Sequence, residues 1–169
     1  MSEKKITELL EKISKSLDSE LKVTNERVPL VTSYVYNITK APAWNLQLKI
    51  AESITFSTKK TTVSIDLKIE NVHSSYFRIQ NKKGIASLFL IQKFKLSGDA
   101  NNKYAQFWMS ELSKYKIAGI NTFNIEQSEG ILTSKLRTSY LKTCESILSI
   151  FLSFVKEFDE LTTVRPNLR

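Results

Sequence analysis

The residues of this chain best suited to chemistry are few: one histidine (His73), one cysteine (Cys144), and the strand-borne carboxylates Glu52, Asp66 and Glu70. A structural zinc site takes four clustered Cys or His ligands, which a single residue of each type cannot supply. His73 has Ser74, Ser75 and Glu70 as sequence neighbours, the types that a base-activated nucleophile uses. Such a base needs its nucleophile and its orienting acid within hydrogen-bond reach, and adjacency along the chain does not provide that. The expectation for His73 is a solvated turn residue. Cys144 falls among Leu141, Ile147 and Leu148 at helical spacing, where a cysteine packs as a small hydrophobe with an inert thiol. Asp66 and Glu70 alternate with Lys68 along one side of a strand pattern, an arrangement that favours cross-strand ion pairs over a glycosidase acid pair. The glycines at 84, 98, 119 and 130 are isolated, so neither G-x-G-x-x-G nor a Walker A loop is present. No catalytic residue, metal ligand set or cofactor is expected.

Charge is the more informative signal. The 169 residues carry a net charge of +8. Residues 1–39 hold six basic and six acidic side chains, residues 40–103 eleven against four, and residues 104–169 eight against seven. The excess therefore falls on the middle of the chain. The candidate anion- or partner-binding residues there are Lys59, Lys60, Lys68, Arg78, Lys82, Lys83, Lys93 and Lys95, with Lys49 beside them. A one-signed patch of this kind attracts nucleic acid, anionic lipid or an acidic protein surface. Against a phosphate grip, 20 of the 25 basic residues are lysine, and Arg78 is the one arginine of the basic segment. The competing expectation is a solvated sheet face whose lysines discourage edge-to-edge aggregation.

The elements that must position these residues follow from periodicity. Ile6, Leu9, Leu10, Ile13 and Leu17 make one stripe of an amphipathic helix over residues 3–19. Residues 21–43 read as a linker between Pro29 and Pro42 with one strand near residues 33–39. Strict alternation marks residues 44–57 and 61–72 as strands, the latter with Val63, Ile65, Leu67 and Ile69 on its dry side. Glu52 interrupts the first of these and predicts a bulge near residues 51–53, since a buried carboxylate is costly. Residues 76–80 and 85–96 are further strands joined through Asn81-Lys82-Lys83-Gly84. A helix over 101–116 carries Tyr104, Phe107, Trp108, Leu112 and Tyr115, and a hairpin over 122–138 turns at Ser128-Glu129-Gly130. The last helix, residues 139–161, has no charge between Glu145 and Lys156. So dry a helix is either the most buried one or an interface, and Ile147, Ile150, Phe151, Phe154 and Phe158 are its candidate oligomer or partner residues.

The expected fold is thus α+β, in the order α-β-β-β-β-α-β-β-α, with an antiparallel sheet of about five or six strands. An N-terminal, a middle and a long C-terminal helix pack it, in one domain over residues 1–161 with a flexible tail at 162–169. From Ile6 to Phe158 this element order resembles that of class I type III secretion chaperones. The resemblance lies in order alone, with no shared motif, and implies a protein that dimerises and wraps an extended client. The single cysteine, the charge-threaded N-terminus and the lack of any apolar run near ~20 residues predict a cytoplasmic chain with no membrane span. The leading functional expectation is a non-enzymatic protein-interaction module (adaptor, chaperone-like or regulatory), a homodimer through the last helix. The alternatives are nucleic-acid binding through the basic sheet, and an apolar-ligand carrier with a cavity lined by Trp44, Phe56, Phe77, Phe89 and Phe151.

Overall fold

The computed structural model describes residues 3–40, 43–55, 58–81, 93–115 and 117–158. In chain order the elements are α1 (Glu3–Ser16), β1 (Leu21–Val28), β2 (Val31–Lys40), β3 (Trp44–Thr55), β4 (Thr58–Glu70), β5 (Phe77–Asn81) and β6 (Phe94–Gly98). There follow α2 (Lys103–Lys114), β7 (Ile120–Ser128), β8 (Ile131–Thr138) and α3 (Leu141–Glu157). The class is α+β, with one antiparallel sheet and three helices in the expected sequence of helix, strands, helix, hairpin, helix.

The sheet has eight strands, in the order β1-β2-β3-β4-β8-β7-β5-β6, where about five or six were expected. One added strand is β1, which lies in the stretch read as linker. Every side chain from Lys22 to Val28 is exposed, so neither face of β1 leaves the apolar alternation by which strands are recognised. Its partner is local: β2 pairs with it around the two-residue turn Pro29-Leu30, where Leu30 takes a φ of 65°. β8, the second strand of the expected hairpin, pairs with both β4 and β7 and so separates β4 from β5. The expected strand at 85–96 is described only from Phe94 onward. Lys82, Lys83, Gly84, Phe89 and the tail at 162–169 lie outside the described residues.

Register fixes what each face carries, because directly paired residues share a side of the sheet. Tyr36, Leu48, Ile65, Leu136 and Phe123 form one row across five strands. The next row runs Ile38, Leu46, Leu67, Ser134, Ile125 and Ile79. Every one of these is buried, in one contiguous core with Ile6, Leu10 and Ile13 of α1, Trp108 and Leu112 of α2, and Ile147, Phe151 and Phe154 of α3. The helices therefore lie on one side of the sheet.

The pairing of β3 with β4 continues without a bulge from Trp44 opposite Ile69 to Thr55 opposite Thr58, which corrects the expectation at Glu52. Glu52 does share the face of Ile50, but it stands where the hairpin has run past the core. There Lys59, also on that face, reaches it at 2.8 Å with the carboxylate still partly solvated.

Candidate functional site

The opposite parity gives the face that the described helices leave open. One row crosses all eight strands, from Lys22 through Asn37, Gln47, Asp66, Lys135, Asn124 and Gln80 to Lys95. A second row carries Val35, Lys49, Ser64, Arg137 and Thr122. A third carries Asn45, Lys68, Thr133, Glu126, Arg78 and Ser97. The result is a broad polar surface of amides, hydroxyls and charges of both signs, held in place by ladder pairing.

Its cations are largely answered locally. Lys49 Nζ lies 3.1 Å from Glu26, Lys68 Nζ 2.6 Å from Glu70, and Arg137 donates to Asp66 at 3.0 Å. Arg78 Nε donates to Asn124 Oδ1 at 2.7 Å and stands 3.8 Å from Glu126. Gln47 donates to Asn37 at 2.9 Å. Each exposed pair is worth roughly 0.2–1 kcal/mol, so these contacts order the surface more than they stabilise it. Lys95 and Lys135 have no carboxylate partner among the described residues. Beside Lys95 the face dips into a groove of about 600 Å³ lined by Arg78, Gln80, Asn81, Thr122, Phe123 and Asn124.

Of the residues singled out from sequence, Lys60, Lys68, Arg78 and Lys95 share this open face, though β7 and β8 separate Arg78 from Lys68. Lys59 is on the other face with Glu52, and Lys93 is exposed just before β6. Lys82 and Lys83 lie outside the described residues. Charge counting along the chain missed Lys135 and Arg137, because they come from β8, far from the basic segment. Their signal was the alternation of residues 131–138, with Leu132, Ser134, Leu136 and Thr138 buried and Thr133, Lys135 and Arg137 between them.

The residues with chemical potential are placed as follows. His73 is exposed and makes no hydrogen bond or ion pair among the described residues. Ser75 donates to the Asp99 carboxylate, and Ser74 accepts from Asn102 Nδ2 at 3.1 Å, so both serines belong to the start of α2. The Ser75 hydroxyl and then the Asn101 amide hold the Asp99 carboxyl below the usual aspartate range. Cys144 is fully buried, and burial with Glu145 adjacent pushes its thiol up to about 12, so it is protonated at neutral pH. No cluster of three or more metal-binding side chains occurs among the described residues, and none of their helices is long and apolar enough to cross a membrane.

The proposed interface on the last helix requires correction. Ile147, Ile150, Phe151, Phe154 and Phe158 are all packed inside this chain's own core, at 0–8% exposure. α3 sits on the sheet between α1 and α2, and the aromatic stripe of α2 closes over it, with Trp108 and Phe151 rings 5.1 Å apart and Tyr104 and Phe158 4.8 Å apart. Contact on three sides accounts for its missing charges. The side chains named for an apolar cavity fare likewise: Trp44, Phe77 and Phe151 are buried in the core, and Phe56 and Phe89 lie outside the described residues. No family model, curated protein or solved structure matches this chain.

Proposed function

We propose that this chain is a non-enzymatic protein-interaction module whose partner docks on the open face of the sheet. The observation that supports it best is the pairing of cations with carboxylates across that face. A polyanion laid along it would meet Glu26, Asp66, Glu70 and Glu126 as well as the lysines, whereas a protein surface of mixed sign can answer both charges. The test places a photo-crosslinking residue at Gln47 or Ser64 on the open face, and at Lys12 on the exposed side of α1 as the control. Expected are discrete protein adducts from the open-face positions that the α1 position does not give. Equal capture from both faces would defeat the reading.

The groove beside Lys95 supports a second reading, nucleic-acid binding, since it sets two cations among amides that can meet phosphate or base edges. Under that reading Lys95→Glu with Lys135→Glu weakens retention on single-stranded DNA and makes it less salt-dependent. Unchanged retention excludes it.

A further inference from the structure

The sheet has two ends, and they differ. β6 is five residues long and carries Lys95, with Lys93 just before it and no carboxylate on the strand, features that resist pairing with another chain. β1 is eight residues long, contains no Pro or Gly, and carries charges of both signs. It is the terminal strand of the sheet, exposed from Lys22 to Val28, with no strand beyond it among the described residues. Val28 and Val31 close a two-residue turn, which makes them a hydrogen-bonded pair. By alternation, the N–H and C=O groups of Leu21, Val23, Asn25 and Arg27 then point away from β2, along the bare edge.

We propose that two copies of this chain join through β1, antiparallel and edge to edge, with Thr24 on the two-fold axis. A two-fold axis perpendicular to the sheet keeps the open faces on one side and sets each residue opposite one of equal parity. Centred on Thr24, it places Lys22 opposite the partner's Glu26 and Glu26 opposite the partner's Lys22, while the two Thr24 side chains meet. These are non-hydrogen-bonded positions, where opposing side chains come closest. The outward backbone groups match at the same time: Val23 faces the partner's Asn25, and Leu21 faces the partner's Arg27. The neighbouring registers lack this complementarity. Centring on Val23 opposes Glu20 to the partner's Glu26, and centring on Asn25 leaves Lys22 opposite the partner's Val28. The two eight-stranded sheets would then run on as one, with both open faces on the same side. Lys22, Thr24 and Glu26 lie at the border of the open face, where Glu26 also meets Lys49 and Lys22 stands 4.0 Å from Glu20, and the contact does not rest on what docks further in.

The test is the solution mass of the full chain by light scattering and sedimentation, from micromolar to several hundred micromolar at low salt. Wild type is expected to rise with concentration towards twice 19.4 kDa. Lys22→Glu and Glu26→Lys each set like charges opposite one another twice in the dimer, and each should weaken self-association by about tenfold or more. An equimolar mixture of the two single variants should associate again, since the register then opposes Glu to Lys at every charged pair. The Lys22→Glu/Glu26→Lys double variant should self-associate likewise. Asn25→Pro, which removes an outward N–H and spares the pairing with β2, should abolish association with an unchanged far-UV circular dichroism spectrum. A wild type that stays monomeric throughout would overturn the proposal. So would variants that dimerise as wild type does, because the contact would then lie elsewhere.

Discussion

Asn102 shows how much one side chain can organise. Its Oδ1 accepts from the amides of Tyr104 and Ala105 at 2.9 and 3.3 Å, capping α2. Its Nδ2 donates to the carbonyl of Ser75 at 2.6 Å and to the Ser74 hydroxyl at 3.1 Å, tying the helix start to the connection between β4 and β5. The residue is buried, so loss of the side chain strands both sets of partners. Asn102→Ala is expected to lower stability by about 2–3 kcal/mol in urea unfolding, the cap and the lost donor together. Ser74→Ala, which removes one acceptor, should cost less than about 1.5 kcal/mol. The sequence showed a helix beginning near residue 101, but not what held its first turn. A cap that also reaches 27 residues upstream leaves no local pattern. Gly119 is a similar case. The reason for a glycine there lies in its φ of 67° and in the Tyr140 ring, which a Cβ would strike.

At the scale of elements, α3 carries the lesson about dryness. Its uncharged stretch was plain in the sequence, and the two explanations, interior or interface, predict the same residues. Only the position of α3 between α1 and α2 separates them, and that depends on contacts far apart in the chain. Phe154 lies at the centre, with ring contacts to Trp44, Tyr104, Phe107, Trp108 and Phe158 at 5.0–6.5 Å. Phe154→Ala should therefore cost about 3–5 kcal/mol by thermal or urea unfolding. The surviving folded fraction should keep the oligomeric state of wild type. A change in mass without loss of stability would return this helix to the surface. Strands show the same division. β3, β4, β7 and β8 were readable because one face of each is dry, and β1 was not because both of its faces are wet.

For the whole molecule, strand order is what the sequence withheld. Charge was counted in three blocks along the chain, yet the surface that matters mixes β8 with β4 and β5 with β7. The basic middle segment is consequently neutralised in part by Glu126 beside Arg78, its own Asp66 is taken up by Arg137, and its lysines are joined by Lys135. The same order sets the gradient of local stability. β4 lies between β3 and β8 under α3, with Val63, Ile65 and Ile69 fully buried, so its amides should exchange last. The outward amides of β1 should exchange first in dilute solution, and more slowly as concentration rises if the edges pair. Mass-resolved hydrogen exchange at two concentrations reads both, and fast exchange in β4 would contradict the arrangement.

The placement of α3 also has a consequence for biosynthesis. β1 to β4 form a meander of local hairpins that can assemble as soon as it leaves the ribosome. Part of the cover on its oily side, however, comes from α3, which follows in the chain only after β8. At about 5–20 residues per second, on the order of ten seconds separate the appearance of Ile69 from that of Phe154. Until Phe154 emerges, the part of that face which α3 takes stays without it, so yield in a cell depends on whatever shields that part in the interval.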